Sequence, residues 1–508
     1  MNVGPDFTRP SAPVAGDWME GNDPRVKTGS GDYRQWWTVF NDPVLNSLIE
    51  TAYEQNPTLQ AAGVKILQAR ANLGISVGQI FPQSQTLNAS YTASQNTPQG
   101  SGSRYTQAAA LSFQPTWEID FWGKYRRAIE SSDAGLLGSI ADYDNALVSL
   151  TGAIATAYVQ IRTYEERLRV ARESIETQTR TLALVESRYR NGAVSELDVQ
   201  QARPLLDETL ATIPPLEIGL HKAQHSLGIL LGTPPRDLSD LLGGSKSIPT
   251  SPVEVAIGIP AELLLRRPDI RSAELQAAAS CANIGVARAA LFPQISLSGS
   301  FGMSSVEAPF TRAGLGQLSD VFDWRSFTMA VGPTIQWPIL NYGILTNAVR
   351  AKDAQFQQAL LSYRNTVLTA AQQVEDALVS FLQYQDQVKS YTEGVEALRR
   401  AAYLATVEYR EGAATYTRVL DTQKNLQQDL DNLAQARGQV PASLIALYTA
   451  LGGGWQIREG KDFVPREIIE TMRKRTNWGD LLPPGDLPEN LEAPGPIGPL
   501  DLPRKPDW

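Results

Sequence analysis

Two residue types that build many chemical sites are nearly missing from this chain of 508 residues: there is one cysteine, Cys281, and there are two histidines, His221 and His225. A single cysteine excludes an intramolecular disulfide and a Cys-rich metal site. The histidines lie four apart on a predicted helix, a spacing that can pair them on one face. With no HExxH and no third ligand beside them they read as two surface residues, and no metal is assigned. Basic excess is also missing: charged residues are 19% of the chain and the net charge is −9, which argues against nucleic acid as a partner. No P-loop, GxSxG motif or nucleophile–base pair can be recognised, so neither an enzyme nor a cofactor is expected. No apolar run reaches the ~18–20 residues of a membrane-spanning helix. That absence does not speak to strands, whose membrane signal is far weaker. No signal peptide is recognised, and the opening MNVGPDFTRP reads as a mature or trimmed start.

What the chain does contain is itself, twice. YRNGAVSELD at 189–198 returns as YREGAATYTRVLD at 409–421. NPTLQAA at 56–62 corresponds to RPDIRSA at 267–273, IFPQ at 80–83 to LFPQ at 291–294, and Leu231-Gly232 to Leu451-Gly452. A period above 200 residues means a duplicated domain rather than a solenoid of short repeats. The expected organisation is an extended N-terminal segment (1–39), a first repeat (40–233), a linker (234–250), a second repeat (251–453) and a Pro/Gly-rich tail (454–508). The tail is a poor core former by composition.

Each repeat carries a heptad seam. Leu136, Ile140, Tyr143, Leu147 and their successors to Ile175 alternate spacings of four and three. Adding 220 to each number, from Phe356 to Val395, finds an apolar or aromatic residue every time. The seam predicts a helix over about 123–190, roughly 100 Å long at 1.5 Å per residue. A glycine turn at Gly192 and a returning helix to about 231 follow, with Pro204, Pro214 and Pro215 bending that return. Before the long helix, Asn56-Pro57 starts a shorter helix and Phe81-Pro82 ends it. Between them lies a hairpin of alternating strands, 86–94 and 107–117, joined by the polar stretch QNTPQGSGSR. Repeat two has its hairpin at 295–337, with a longer loop. Strands of ~9–11 residues can cross a bilayer when tilted. Trp117, Trp122, Trp324 and Trp337 gather at their ends, as an interfacial girdle requires. The strand pattern alone fits a soluble hairpin equally well, and a soluble coiled-coil scaffold stays open as an alternative at this point. Four strands cannot close a barrel, so membrane insertion demands assembly; three chains supply twelve strands and twelve helices.

VGPDFTRP at 3–10, NPTLQAA, LLRRPDIRSAE at 264–274, IGVARAALFPQISLSGS at 284–300, YREGAATYTRVLDTQ at 409–423 and ALGGGW at 450–455 together carry a resemblance to the TolC-like outer membrane factors of Gram-negative efflux systems. Within them the chain is similar to the OprM/NodT lipoprotein branch. The resemblance implies a mainly α fold with a transmembrane β-barrel part. It implies a homotrimer in outer membrane lipids, with a barrel continuous with a periplasmic helical tube. It also implies passive export of drugs or other small molecules after docking with a periplasmic adaptor (membrane fusion) protein and an inner-membrane RND transporter. Members of this branch carry a lipidated cysteine just before the xxGPDxxRP stretch, near where Met1 stands here. The resemblance further places a constricting carboxylate ring at Asp421, with Lys424 at a basic position one turn on, within contact range. Thr417 stands where members can carry a bulky apolar residue. The expected adaptor contacts are the tips, Asn191, Gly192, Ala193 and Val194 in repeat one and Glu411, Gly412, Ala413 and Ala414 in repeat two.

Overall fold

In the computed structural model, residues 1–11, 14–27, 29, 33–96, 104–243, 247–258, 266–307 and 318–482 are described. Most of the predicted QNTPQGSGSR connection, part of the longer loop of repeat two and the Pro/Gly tail from Pro483 lie outside them. A short strand β1 (Val26–Lys27) precedes helices α1 (Pro43–Gln55) and α2 (Pro57–Gly78), strands β2 (Ser84–Asn96) and β3 (Arg104–Glu118), and helices α3 (Lys124–Arg190), α4 (Glu196–Leu210) and α5 (Ile213–Leu230). Repeat two follows: β4 (Val255–Ala256), α6 (Pro268–Ala289), β5 (Gln294–Glu307), β6 (Phe327–Gln336), α7 (Ile344–Arg410) and α8 (Tyr416–Ala450); a last helix, α9, covers Arg466–Arg475.

Both long helices, α3 and α7, have 67 residues and start after a glycine in the left-handed region, Gly123 and Gly343. A side chain at either position would strain that backbone. The predicted seam of α3 is buried from Leu136 through Ile161. Its counterpart on α7 is buried from Tyr363 to Phe381 but only half-buried at Phe356, Leu360 and Tyr384. The difference has a cause: α3 packs against α2, α4, α5, α6 and α8, whereas the principal helical neighbours of α7 are α6 and α8. One side of α7 is left without cover.

The predicted start at Asn56-Pro57 is where α2 begins, and it is also a junction: α1 runs up to it from Pro43, with the Asp42 carboxylate accepting from the backbone N–H of Val44 at 2.9 Å, and Asn56 both ends α1 and caps α2, its side-chain oxygen accepting from Leu59 N–H. One expectation needs correction. The returning helix of repeat one is broken rather than bent. It stops at Leu210 and restarts at Ile213, because Pro214 and Pro215 offer no N–H to carbonyls 210 and 211. Repeat two has no such pair, and α8 is continuous over 35 residues despite Pro441.

The four long strands form one antiparallel sheet in the order β2-β3-β5-β6. Its register lines up Leu87, Phe113, Phe301 and Met329 in one row across all four strands. Leu297, Val331 and Ile335 continue that face, and Thr86, Asn88, Ser90, Ser112, Ser298, Ser300 and Thr334 occupy the other. Leu87, Met329 and Ile335 are 70%, 64% and 69% exposed, so no part of the described chain covers the apolar face.

Around the middle of the long helices lies a belt of large side chains, including Trp36, Trp37, Phe40, Leu45, Tyr158, Tyr363 and Phe381. β1 pairs with β4 here, tying the N-terminal segment to the stretch between the repeats, and Leu238 and Leu242 of that stretch are buried. The C-terminal segment is partly folded. Val464, Ile469, Met472 and Leu482 pack on Leu67 of α2, and Gly63 leaves room for the Phe463 carbonyl. Arg458 pairs with the buried Asp144 of α3 through both carboxylate oxygens, and its guanidinium lies over the Trp455 and Phe463 rings. Burial pushes the Asp144 carboxyl up to about 6 against the pull of Arg458. Removing one member of such a pair costs about 3 kcal/mol or more. Asp144→Ala is therefore expected to release residues 455–482, read as tryptic cleavage at Arg458 and Lys461 under conditions where the parent chain is resistant; unchanged resistance would show that apolar packing alone holds the segment.

Candidate gate and docking tips

The two repeats turn at their far ends with the same backbone geometry. In repeat one the N–H of Ala193 donates to the Arg188 carbonyl and that of Gly192 to the Tyr189 carbonyl, both at 2.9 Å. In repeat two Ala413 donates to Glu408 at 2.8 Å and Gly412 to Tyr409 at 3.1 Å. This is the paired six-to-one and five-to-two closure of a Schellman motif, and it requires the left-handed φ of +69° at Gly192 and +79° at Gly412. Asn191, Gly192, Ala193, Glu411, Gly412 and Ala413 are exposed; Val194 and Ala414 are half-buried.

The side chains around the turns differ, and the difference organises the site. Arg188 reaches from α3 to the end of α7, donating to the carbonyls of Tyr409 and Arg410, the latter at 2.6 Å, with its guanidinium 4.9 Å from the Tyr409 ring centre. The Tyr409 carbonyl thus accepts from Arg188 as well as from Gly412, and a cation there also meets the negative end of the helix dipole. Tyr409 sits edge-on to Tyr416 at 5.6 Å, inside a cluster with Val185, Val199, Ala202, Ala405 and Val419. Burial raises both phenols, Tyr416 to about 12. The repeat-one counterparts are unlike: Tyr189 is 42% exposed, Glu196 replaces Tyr416, and Glu408 stands where Arg188 would and pairs with Arg418 at 3.1 Å. The repeat-two tip is thus held against repeat one, while the repeat-one tip has no equivalent clamp. Only an alignment of the two turns, noting Arg188 against Glu408, could have drawn attention to this from sequence.

Thr417, Asp421 and Lys424 are all exposed on α8 and share one side of it. The buried side carries Tyr416, Val419 and Gln423, whose amide donates to Thr181 Oγ1 at 2.9 Å. At 100° per residue Asp421 points about half a turn away from that side. α8 starts at Tyr416, so Asp421 lies about 8 Å along it. One detail departs from expectation. Lys424 pairs with Glu208 of α4 at 3.6 Å rather than with Asp421. Both partners are exposed, so this link is weak.

At the other end, three tryptophans tie the sheet to the helices. The indole N–H of Trp117 donates to the Ile80 carbonyl at 2.8 Å, that of Trp122 to Pro293 at 2.8 Å, and that of Trp337 to Leu291 at 3.1 Å. All three acceptors follow α2 or α6, at the two FPQ stretches. Trp324, stacked on Phe327 at 4.8 Å, marks the opposite end of the sheet. The ten residues of β6 separate these levels by about 30 Å, the thickness of a bilayer core.

Loss of the Arg188 clamp has a local signature. Arg188→Ala removes hydrogen bonds from a charged donor, about 2 kcal/mol, and is expected to speed amide exchange at Glu411–Ala413 by about thirtyfold while leaving Asn191–Ala193 unchanged. Equal acceleration at both tips, or none, would contradict the asymmetry.

Comparison with known proteins gives this geometry its context. Residues 48–233 and 259–453 match the family described as "Outer membrane efflux protein". Nodulation protein T of Rhizobium leguminosarum bv. trifolii is 32% identical over 456 residues, 89% of this chain and 94% of that protein. The pyoverdine export outer membrane protein OpmQ of Pseudomonas putida is 34% identical over 434 residues, 83% of this chain and 88% of its own length. Among solved structures, the outer-membrane channel OprN superimposes with a TM-score of 0.82 at 33% identity, over 89% of this chain and 99% of that one. The chain is a member of the outer membrane efflux protein family, and its place is the bacterial outer membrane.

Proposed function

We propose that three copies of this chain close into one tube that serves as the passive exit duct of a tripartite efflux pump. The observation that carries this reading is the sheet. One face is apolar and uncovered, and β2 and β6 are edge strands with unpaired backbone groups. An open edge cannot rest in hydrocarbon, so the sheets of neighbouring copies pair β6 to β2 until the ring closes. Twelve strands then surround a lumen lined by the Ser/Thr/Asn face. The helices continue the wall away from the membrane for the ~100 Å of α3 and α7.

At the far end six tips form a ring. The exposed turn residues Asn191 to Val194 and Glu411 to Ala414 are the surface on which a periplasmic adaptor docks, small enough for close helix-tip packing; an inner-membrane RND transporter supplies the drive. Just inside, three copies of Asp421 converge as a carboxylate constriction. Three carboxylates gathered there favour cations in the opening. Thr417, a turn nearer the tip, supplies a hydroxyl rather than an apolar plug, and Lys424 is engaged sideways by Glu208. The duct carries out no chemistry. Its cargo is a small molecule selected by the pump; one of its relatives is named for pyoverdine export.

Single-channel conductance in a planar bilayer tests both parts. The parent trimer is expected to show small, cation-preferring openings, and Asp421→Ala to raise the conductance and weaken the preference. Equal conductance in the two would place the constriction elsewhere. Folded protein that needs no detergent and conducts nothing would overturn the channel and leave a soluble scaffold.

A further inference from the structure

The repeat specifies which faces of two copies meet. α8 lies antiparallel on α3, and four contacts set their register: Thr449 against Gly152, Gly438 against Thr163, Asp431 on Arg167 at 2.7 Å, and Gln423 on Thr181 at 2.9 Å. The repeat counterparts, 220 residues away, are Ile229 and Gln372, Ile218 and Gln383, Ala211 and Gln387, Arg203 and Ala401. In the single chain Ile218 and Ile229 are 55% and 66% exposed, and Gln372, Gln383 and Gln387 are exposed as well. The same surface is thus covered once within the chain, by α8 on α3, and left open once, on α5 and on α7. A second copy of the chain is the occupant that fits, with α4–α5 of one lying on α7 of the next in the register of α8 on α3.

That register brings the chain's only two histidines to the boundary. One helical turn from the Gly152–Thr449 contact, Thr156 lies level with Ile445, which is 1% exposed. Their counterparts are Asp376 and His225. One turn further on α5 comes His221, level with Ser380 of the partner subunit. His221 and His225 are both exposed, with ring centres 6.4 Å apart and planes at 26°, and neither imidazole has a hydrogen-bond or ion-pair partner among the described residues. The exposed Asp376 carboxylate accepts one bond, from Gln372 Nε2 at 3.2 Å, and keeps its other lone pairs free. Among the described residues of one chain, no three His, Cys, Asp or Glu side chains converge on a metal position.

We propose that each boundary between copies holds a transition-metal site formed by His221 and His225 of one subunit and Asp376 of the partner subunit. The proposal rests on the assembly described above. Two imidazoles and one carboxylate suit Zn²⁺, or Cu²⁺ or Ni²⁺, with a fourth position left to water. Charged groups near these ligands include Glu217 and Lys222 on α5, with Arg172 of α3 on Glu217 at 3.4 Å; on α7 of the partner subunit Glu375 accepts from its own Met19 N–H at 2.9 Å, and Arg267 and Asp269 line the same groove as Asp376. Bound metal clamps the wall of the tube midway between membrane and tips, while the gate end remains free to move.

The test uses the detergent-solubilised full chain, stripped with chelator and titrated with Zn²⁺ by calorimetry. Three ions per trimer are expected, with a higher temperature for heat dissociation of the trimer. Uptake should vanish in the His221→Gln/His225→Gln double variant and weaken at least tenfold in Asp376→Asn. A separate cross-link between Ile218→Cys and Gln383→Cys, with Cys281 buried, reports the seam itself. Cross-linked trimers that take up no zinc would overturn the metal site and leave the assembly intact. Trimers without the cross-link would overturn the seam. Absence of any trimer would sink the assembly reading beneath both. Zinc binding indifferent to Asp376→Asn would confine the ion to α5 and overturn the shared site.

Discussion

The architecture depends on the fact that a backbone in hydrocarbon must satisfy its own hydrogen bonds. One chain offers four strands, an apolar face without cover and two open edges, which is an unfinished object in lipid. The same incompleteness runs down the helical part. The surface that α8 covers on α3 is left open on α7, and the side of α8 that is buried has an exposed counterpart on α5. Each open surface is the repeat image of a closed one. A duplicated chain therefore displays, uncovered, the repeat image of a fit it makes once internally.

Length follows from the same economy of parts. A 67-residue helix has no stable existence as an isolated rod of mixed composition; tertiary packing of one face holds it. α3 obtains that packing from α2 and α6 near the sheet, from the Trp36/Trp37/Phe40 belt in the middle, and from α4, α5 and α8 toward the tips. The C-terminal segment adds a second layer at the belt, latched by Asp144 and Arg458. Toward the tips the packing thins to the small cluster around Tyr409 and Tyr416, where Arg188 and a few hydrogen bonds replace a core. An end held by so few interactions is the part of a tube that can move at least cost.

The two repeats are alike in backbone and unlike in side chain at the points that matter most. Arg188 against Glu408, Glu196 against Tyr416 and the Pro214-Pro215 break against a continuous α8 all fall between tip and belt. A perfectly symmetric chain would hold both of its tips alike; these substitutions make the two unlike.

The duplication, the two long helices and their turns, and the alternating strands were all legible along the chain. Each rests on local or periodic signals: a 3.5-residue seam, a glycine that needs positive φ, an apolar/polar alternation. The motif resemblance led to the family on which the comparisons agree. The positions of Asp421, Thr417 and Lys424 on an exposed side of α8 were consistent with their spacing, but the partner of Lys424 was not legible, because Glu208 is 216 residues away in the chain and meets it only when α4 and α8 are brought together. The same holds for Arg188 on the α7 carbonyls and for Asp144 with Arg458. The folded C-terminal segment was missed because a short amphipathic helix has no core of its own and is stabilised only by the groove on α2. What the tertiary structure alone decided is which repeated surfaces are covered and which are left open, since that depends on packing between elements more than 200 residues apart rather than on any pattern along the chain.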